Sequence, residues 1–215
     1  MFPWIMFPDI LTVLRVFAIP LLIASFYCNI SAIRDKTCTY NHIVTSMMFF
    51  LASVTDFFDG YLARRWEITS SFGAFLDPVA DKLMVSTALI LLSGRYGAIC
   101  AVPSAIVLAR EIAVSALREW MASKQLRNVV KVGFMGKLKT AFQMIAIGIL
   151  LAVPFPLADS FNFEKPMKSF ESPQYCLWAL GLFLLYVSTF LTVTSGMVYF
   201  NAAAPVLMAE RKVGR

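Results

Sequence analysis

Long apolar runs alternate with short polar, mostly basic stretches along the whole chain. Charge-free runs extend from Val16 to Ile33, Thr37 to Thr55, Thr140 to Ala158 and Ser172 to Ala209. Each is long enough for the roughly 20 residues that a membrane-crossing helix needs. Two more apolar segments carry charge at one end: one runs from near Asp77 through Leu83 to Ser93, the other from about Cys100 to Met121 with Arg110, Glu111, Arg118 and Glu119 inside it. Their polar ends should face protein or water. The run from Ser172 to Ala209 is too short for two crossings and a turn, and its periodic part ends near Phe200, so it counts once. The pattern predicts an all-α integral membrane protein with six transmembrane helices. An interfacial N-terminal segment, Met1 to Pro8, precedes them, apolar but broken by Pro3 and Pro8. One domain, residues 1–215, is expected.

Composition agrees: of 215 residues, 59% are hydrophobic and 15% charged, which belongs to a multispanning membrane protein. Basic residues in short loops are retained on the cytoplasmic side of a membrane. With six spans, one side collects Arg15, Arg64, Arg65, the basic residues between Lys124 and Lys139, and Arg211, Lys212 and Arg215. The other side has only Arg34, Lys36, Arg95, Lys165 and Lys168. Both termini are therefore expected on the inner side. The net charge of +6 concentrates there, where it either sets topology alone or also attracts anionic headgroups and phosphorylated substrates. No nucleic-acid partner is expected. The opening residues lack the basic flank and cleavage site of a signal peptide. Trp66 and Trp120 fall near the inner interface and Trp178 near the outer one, as in aromatic belts. Cys28, Cys38, Cys100 and Cys176 all map near the outer face, as free thiols rather than disulfides, and His42, the sole histidine, is expected to be structural.

Four aspartates interrupt the apolar pattern, in the order Asp56-x-x-Asp59-Gly60-x-x-Ala63-Arg64, eight residues, Gly73-x-x-x-Asp77-x-x-x-Asp81. Carrying a carboxylate into a bilayer costs on the order of 3 kcal/mol, so four should be present only if cations neutralise them. Residues three or four apart share a helix face. Asp56, Asp59 and Ala63 thus form one stripe at the inner end of the second span, and Gly73, Asp77 and Asp81 form another at the start of the third. The turn around Arg65 to Ser71 makes the two spans an antiparallel hairpin in which the stripes can meet. Clustered oxygen ligands suit hard cations, Mg²⁺ or Mn²⁺, rather than zinc. Two such ions about 4 Å apart can clamp a transferring phosphoryl group. Gly60, Ala63 and Gly73 remove bulk where a nucleotide would lie against backbone, though small residues also serve close helix packing.

The pattern D-x2-D-G-x2-A-R-x8-G-x3-D-x3-D resembles, residue for residue, the signature of the CDP-alcohol phosphatidyltransferase family. Leu11-Thr12-Val13-Leu14-Arg15, Ala109-Arg110-Glu111-Ile112, Ser115 to Trp120, and Gly136-Lys137-Leu138-Lys139-Thr140 extend the likeness toward those members whose acceptor is glycerol 3-phosphate. The resemblance covers about Pro8 to Leu151; beyond it only hydropathy compares. It implies a six-helix membrane enzyme, usually a homodimer, that moves the phosphatidyl group of CDP-diacylglycerol to glycerol 3-phosphate, giving phosphatidylglycerophosphate and CMP. It also implies roles: Asp56, Asp59, Asp77 and Asp81 hold two Mg²⁺ or Mn²⁺ ions, Asp81 takes the acceptor's proton, and Gly60, Ala63, Arg64 and Gly73 line the CDP site. The setting implied is a bacterial inner membrane or an organellar inner membrane, with the site on the cytoplasmic, matrix or stromal side.

Glycerol 3-phosphate brings its own phosphate, which needs cations beyond the metals. Arg110, Arg118, Lys137 and Lys139 are the candidates, arginine being the better phosphate fork. Lys137 and Lys139 stand about 200° apart on a helix, so at most one faces the site; Lys137 is favoured. Glu111 and Arg118, seven apart, could instead pair with each other. The alternatives are another acceptor, phosphatidylglycerol or inositol, and, more remotely, a divalent-cation transporter.

Overall fold

The computed structural model describes residues 7–34, 41–66, 71–123, 134–153 and 173–213. Side chains are described over 14–28, 42–55, 79–123, 138–153 and 173–205 apart from 202, and at 76 and 136. Six helices result: α1 Phe7–Arg34, α2 Asn41–Trp66, α3 Ser71–Tyr96, α4 Ala98–Ser123, α5 Phe134–Ala152 and α6 Pro173–Val213. No strand occurs among the described residues.

Boundaries differ from the charge-free runs where a charge finds protein to face. α5 begins at Phe134 rather than Thr140, winding Gly136 and Lys139 into its first turns, because Lys139 is buried against other helices instead of lying in hydrocarbon. α6 is a single helix of 41 residues. It continues past Phe200 through Ala202, Ala203 and Ala204, strong helix formers. Residues 1–6 of the expected interfacial segment lie outside the described residues, while Phe7 and Pro8 already open α1, where proline's missing N–H costs nothing.

The helices pack as a closed ring: α1 on α2, α2 on α5, α5 on α6, α6 on α4, α4 on α3, and α3 back on α1, with α3 also touching α5 across the middle. Phe49, Met84, Leu89, Leu92, Val107, Ile147, Leu150 and Leu185 fill the interior. Polar side chains are turned inward with them, including Arg15, Thr45, Arg95, Lys139, Gln143, Ser188 and Thr192. Phe17, Leu21, Met47, Phe50, Ile90, Ile112, Phe183, Phe190 and Val198 face outward. That inversion suits a lipid solvent, in which burying apolar groups gains little and interhelical hydrogen bonds and close packing hold helices together. Ser25 and Thr45 share such a bond at 2.7 Å between α1 and α2, and Ser46 donates to the Gly148 carbonyl at 2.8 Å between α2 and α5. Among the described residues, Ala98–Ser123 and Pro173–Pro205 are long and apolar enough to cross a membrane by length and composition; Leu14–Cys28, His42–Thr55 and Leu138–Ala152 are shorter apolar segments.

α3 turns into α4 at one residue. Gly97 has φ of 65°, a left-handed conformation that costs glycine nothing. Its N–H closes α3 on the Ser93 carbonyl at 2.9 Å, and its own carbonyl accepts from Cys100 and Ala101 at 3.2 and 3.0 Å to open α4. Beside it, Arg95 donates to the Val153 carbonyl at 3.0 Å, and the Tyr96 hydroxyl reaches the carbonyls of Leu150 at 2.9 Å and Val153 at 3.3 Å. These carbonyls belong to the end of α5, where no intrahelical partner remains. The end of α3 thus caps α5. Trp178 packs against Tyr96 and Tyr175 at ring separations of 6.5 and 5.6 Å. His42 is buried, and Cys100 and Cys176 are free thiols.

Candidate active site

At the other end of the ring, α3, α4, α5 and α6 enclose a cavity of about 280 Å³. Four helices supply its lining: Asp81, Lys82 and Val85 from α3; Arg110, Glu111, Val114, Ser115 and Arg118 from α4; Gly136, Lys139, Thr140, Gln143 and Met144 from α5; Tyr199 from α6. Asp81 therefore shares one chamber with three of the four cations expected to grip an acceptor phosphate, Arg110, Arg118 and Lys139.

The arginines are held by α6. Arg110 donates to Ser195 Oγ at 3.0 Å, and its guanidinium lies 5.6 Å from the centre of the Tyr199 ring. Arg118 donates to the Tyr199 hydroxyl at 2.6 Å with its guanidinium 4.8 Å from the same ring. One tyrosine ring thus meets two cations. Gly196 makes room for this: a Cβ there would come within 3.1 Å of Arg110 Nε and 3.2 Å of its Cγ. Arg110 Nε is buried with no hydrogen-bond partner.

Lys139 Nζ stands 3.8 Å from Glu111 Oε1. The internal neutralisation expected between Glu111 and Arg118 is thus found with a different partner, and Arg118 turns to tyrosine instead. Lys82 donates to Ser115 Oγ at 2.5 Å, and Ser115 in turn donates to the Glu111 carbonyl at 2.7 Å. Four cationic side chains, Lys82, Arg110, Arg118 and Lys139, face two carboxylates, Asp81 and Glu111. The excess of positive charge matches a phosphate, which carries close to two negative charges near neutral pH.

Of the remaining candidates, Asp56, Asp59, Gly60, Ala63 and Arg64 fall in the last turns of α2, and Gly73 and Asp77 in the first turns of α3; their side chains lie outside the described residues, as does that of Lys137. Lys139 lines the chamber, while Lys137, the lysine favoured from the sequence, has its side chain outside the described residues. Among the described residues, α1 and α5 each pack against both α2 and α3. Among the described residues no three acidic, imidazole or thiol groups gather as a metal cage, and Asp81 is the one signature acid whose side chain is described. Lys82 and Gln143 belong to no motif in the chain, and the signal for Ser195 and Tyr199 is slight. The only hint was Ser195-Gly196-x-x-Tyr199, a polar pair one turn apart flanking a glycine within an apolar helix.

Residues 5–194 match the family model described as CDP-alcohol phosphatidyltransferase. The chain belongs to the CDP-alcohol phosphatidyltransferase family. It is 40% identical over 214 residues to CDP-diacylglycerol–glycerol-3-phosphate 3-phosphatidyltransferase 2 of Arabidopsis thaliana, covering 94% of this chain and 82% of that one. It is 39% identical to the Pectobacterium atrosepticum CDP-diacylglycerol–glycerol-3-phosphate 3-phosphatidyltransferase, covering 91% and 93%. The Escherichia coli K12 protein of that name is 37% identical, covering 94% and 97%. Membership fits the all-helical, outwardly apolar fold, and CDP-alcohol phosphatidyltransferases are in general dependent on divalent metal. The family match ends one residue before Ser195, so the α6 side chains that hold the arginines lie beyond it.

Proposed function

We propose that this membrane enzyme transfers the phosphatidyl group of CDP-diacylglycerol to glycerol 3-phosphate, giving phosphatidylglycerophosphate and CMP in phospholipid biosynthesis. The observation that carries the reading is the chamber in which Asp81 faces Arg110, Arg118 and Lys139 with cations in excess. An acceptor with a hydroxyl at one end and a phosphate at the other fits that polarity. Phosphatidylglycerol and inositol do not bring a terminal phosphate for the cations to hold. Membership in a transferase family, with relatives named as transferases, sets aside ion transport.

Asp56, Asp59, Asp77 and Asp81 would hold two Mg²⁺ or Mn²⁺ ions, an all-oxygen donor set that suits hard cations. When bound, these ions neutralise the diphosphate and the charge of departing CMP. Gly60, Ala63, Arg64 and Gly73 form the CDP site, with small side chains admitting the nucleotide and Arg64 available to a phosphate. Arg110, Arg118 and Lys139 orient glycerol 3-phosphate through its phosphate. Asp81 accepts the proton of the acceptor's primary hydroxyl. That oxygen bonds to the phosphorus carrying diacylglycerol, and the bond from that phosphorus to the CMP oxygen breaks.

The whole chain, 1–215, acts as one domain with six transmembrane spans and both termini on the basic side. It works as a homodimer among membrane lipids, in a bacterial inner membrane or an organellar inner membrane, with its site on the cytoplasmic, matrix or stromal side. The positive-inside distribution of lysine and arginine supports that sidedness.

Purified protein supplied with CDP-diacylglycerol and Mg²⁺ or Mn²⁺ is expected to release CMP with glycerol 3-phosphate but not with inositol or phosphatidylglycerol. CMP release that follows one of those acceptors instead would overturn the acceptor assignment. In the same assay Asp81→Asn is expected to lose on the order of 1000-fold in rate while remaining folded; retained turnover removes Asp81 as the base.

A further inference from the structure

Glycerol 3-phosphate has three polar groups: the C1 hydroxyl that attacks, the phosphate on C3, and a C2 hydroxyl between them. Asp81 and the cations account for two. We propose that Gln143 recognises the third and so makes the enzyme selective for an acceptor with a hydroxyl at C2; the inference rests on the reading of this cavity as the acceptor site.

Gln143 stands one helical turn beyond Lys139 on α5, on the same stripe, and its side chain lines the cavity. It is 1% exposed, and its amide oxygen is buried with no hydrogen-bond partner. A buried acceptor is costly to leave unpaired. Two hydroxyls that line the same cavity are already spent on carbonyls: Thr140 Oγ1 donates to Gly136 at 2.7 Å and Ser115 Oγ to Glu111 at 2.7 Å. The Tyr199 hydroxyl accepts from Arg118 and makes no bond to the Gln143 oxygen.

A donor for the Gln143 oxygen is therefore supplied by what enters. The phosphate of the acceptor is itself only an acceptor of hydrogen bonds, and the C1 hydroxyl gives its proton to Asp81. The C2 hydroxyl is the group with a hydrogen to spare. A site built to hydrogen-bond a substrate hydroxyl rejects an analogue that lacks it, because the protein group is then stranded without a partner.

The test compares glycerol 3-phosphate with 3-hydroxypropyl phosphate, which lacks only that hydroxyl. kcat/KM for CMP release is measured with both acceptors on the full chain in lipid, for the wild type, Gln143→Met and Gln143→Leu. The wild type is expected to prefer glycerol 3-phosphate by on the order of 30-fold. In the variants that ratio is expected to fall toward unity, chiefly through loss of rate with glycerol 3-phosphate. An equal fall with both acceptors, leaving the ratio at its wild-type value, would show that Gln143 only supports the helix and would overturn the proposal. So would a wild type indifferent to the missing hydroxyl, a result that needs no variant and stands even if both substitutions prevent folding. A wild type that ignores glycerol 3-phosphate but turns over with another alcohol brings down the acceptor reading itself, and this proposal with it.

Discussion

Each end of the helix ring sets arginine beside tyrosine, yet the two arrangements do opposite things. At the α3–α4 turn, Arg95 lies 5.4 Å from the Tyr96 ring, and both side chains spend their hydrogen bonds on the carbonyls that end α5. At the cavity, Arg110 and Arg118 flank the Tyr199 ring, and each has a recorded hydrogen bond to a single hydroxyl, on Ser195 or Tyr199. A guanidinium has five N–H donors. Bonding to backbone carbonyls fastens a helix end, while a hydroxyl partner fixes the direction of a guanidinium whose side chain lines the chamber. The partner's identity, not the cation, separates a lock from a binding group.

The largest effect that would sharpen this contrast is expected from Arg110→Leu. It should lower kcat/KM for glycerol 3-phosphate roughly 100-fold, as loss of a charged hydrogen-bonding group does. The KM for CDP-diacylglycerol should be little changed, and initial rates at varied acceptor and donor would show the split. A parallel rise in both Michaelis constants would break the comparison. Next comes Arg95→Leu, which removes the charged donor to the Val153 carbonyl and should cost about 2 kcal/mol of stability. Thermal unfolding in detergent reads that loss, with acceptor KM unchanged. The smallest effect is expected from Tyr199→Phe, which keeps the ring under both cations and removes only the hydroxyl that Arg118 uses. An acceptor KM raised about fivefold, near 1 kcal/mol, is the expected result.

The sequence made the chemistry legible where it broke a pattern. Asp56, Asp59, Asp77 and Asp81 stand out because carboxylates have no place in an apolar run without a function, and Arg110 and Arg118 stand out for the same reason in α4. The helices were legible too, four as charge-free runs and two as apolar segments with charge at one end. The support from α6 was not. Ser195 and Tyr199 blend into a membrane helix, where serine and tyrosine are ordinary, and their meaning arises only when α6 packs on α4. Gln143 was hidden likewise, because an uncharged amide interrupts hydropathy weakly and its burial is a tertiary fact. That Lys139 lines the chamber needed the rotation of α5 about its own axis, which periodicity leaves open.

Gly97 has a consequence well away from its own position. With α3 and α4 both starting their count at that residue, Asp81 lies about 24 Å down one arm, and Arg110 and Arg118 about 20 and 32 Å down the other, at 1.5 Å per residue. On the proposed roles the joint works as a depth gauge: the residue assigned the proton falls in level between the two arginines assigned the phosphate. On the proposed topology, with the joint at one face of a hydrocarbon layer about 30 Å thick, that level falls near the opposite face, where a water-borne acceptor would meet a lipid whose tails never leave the oil.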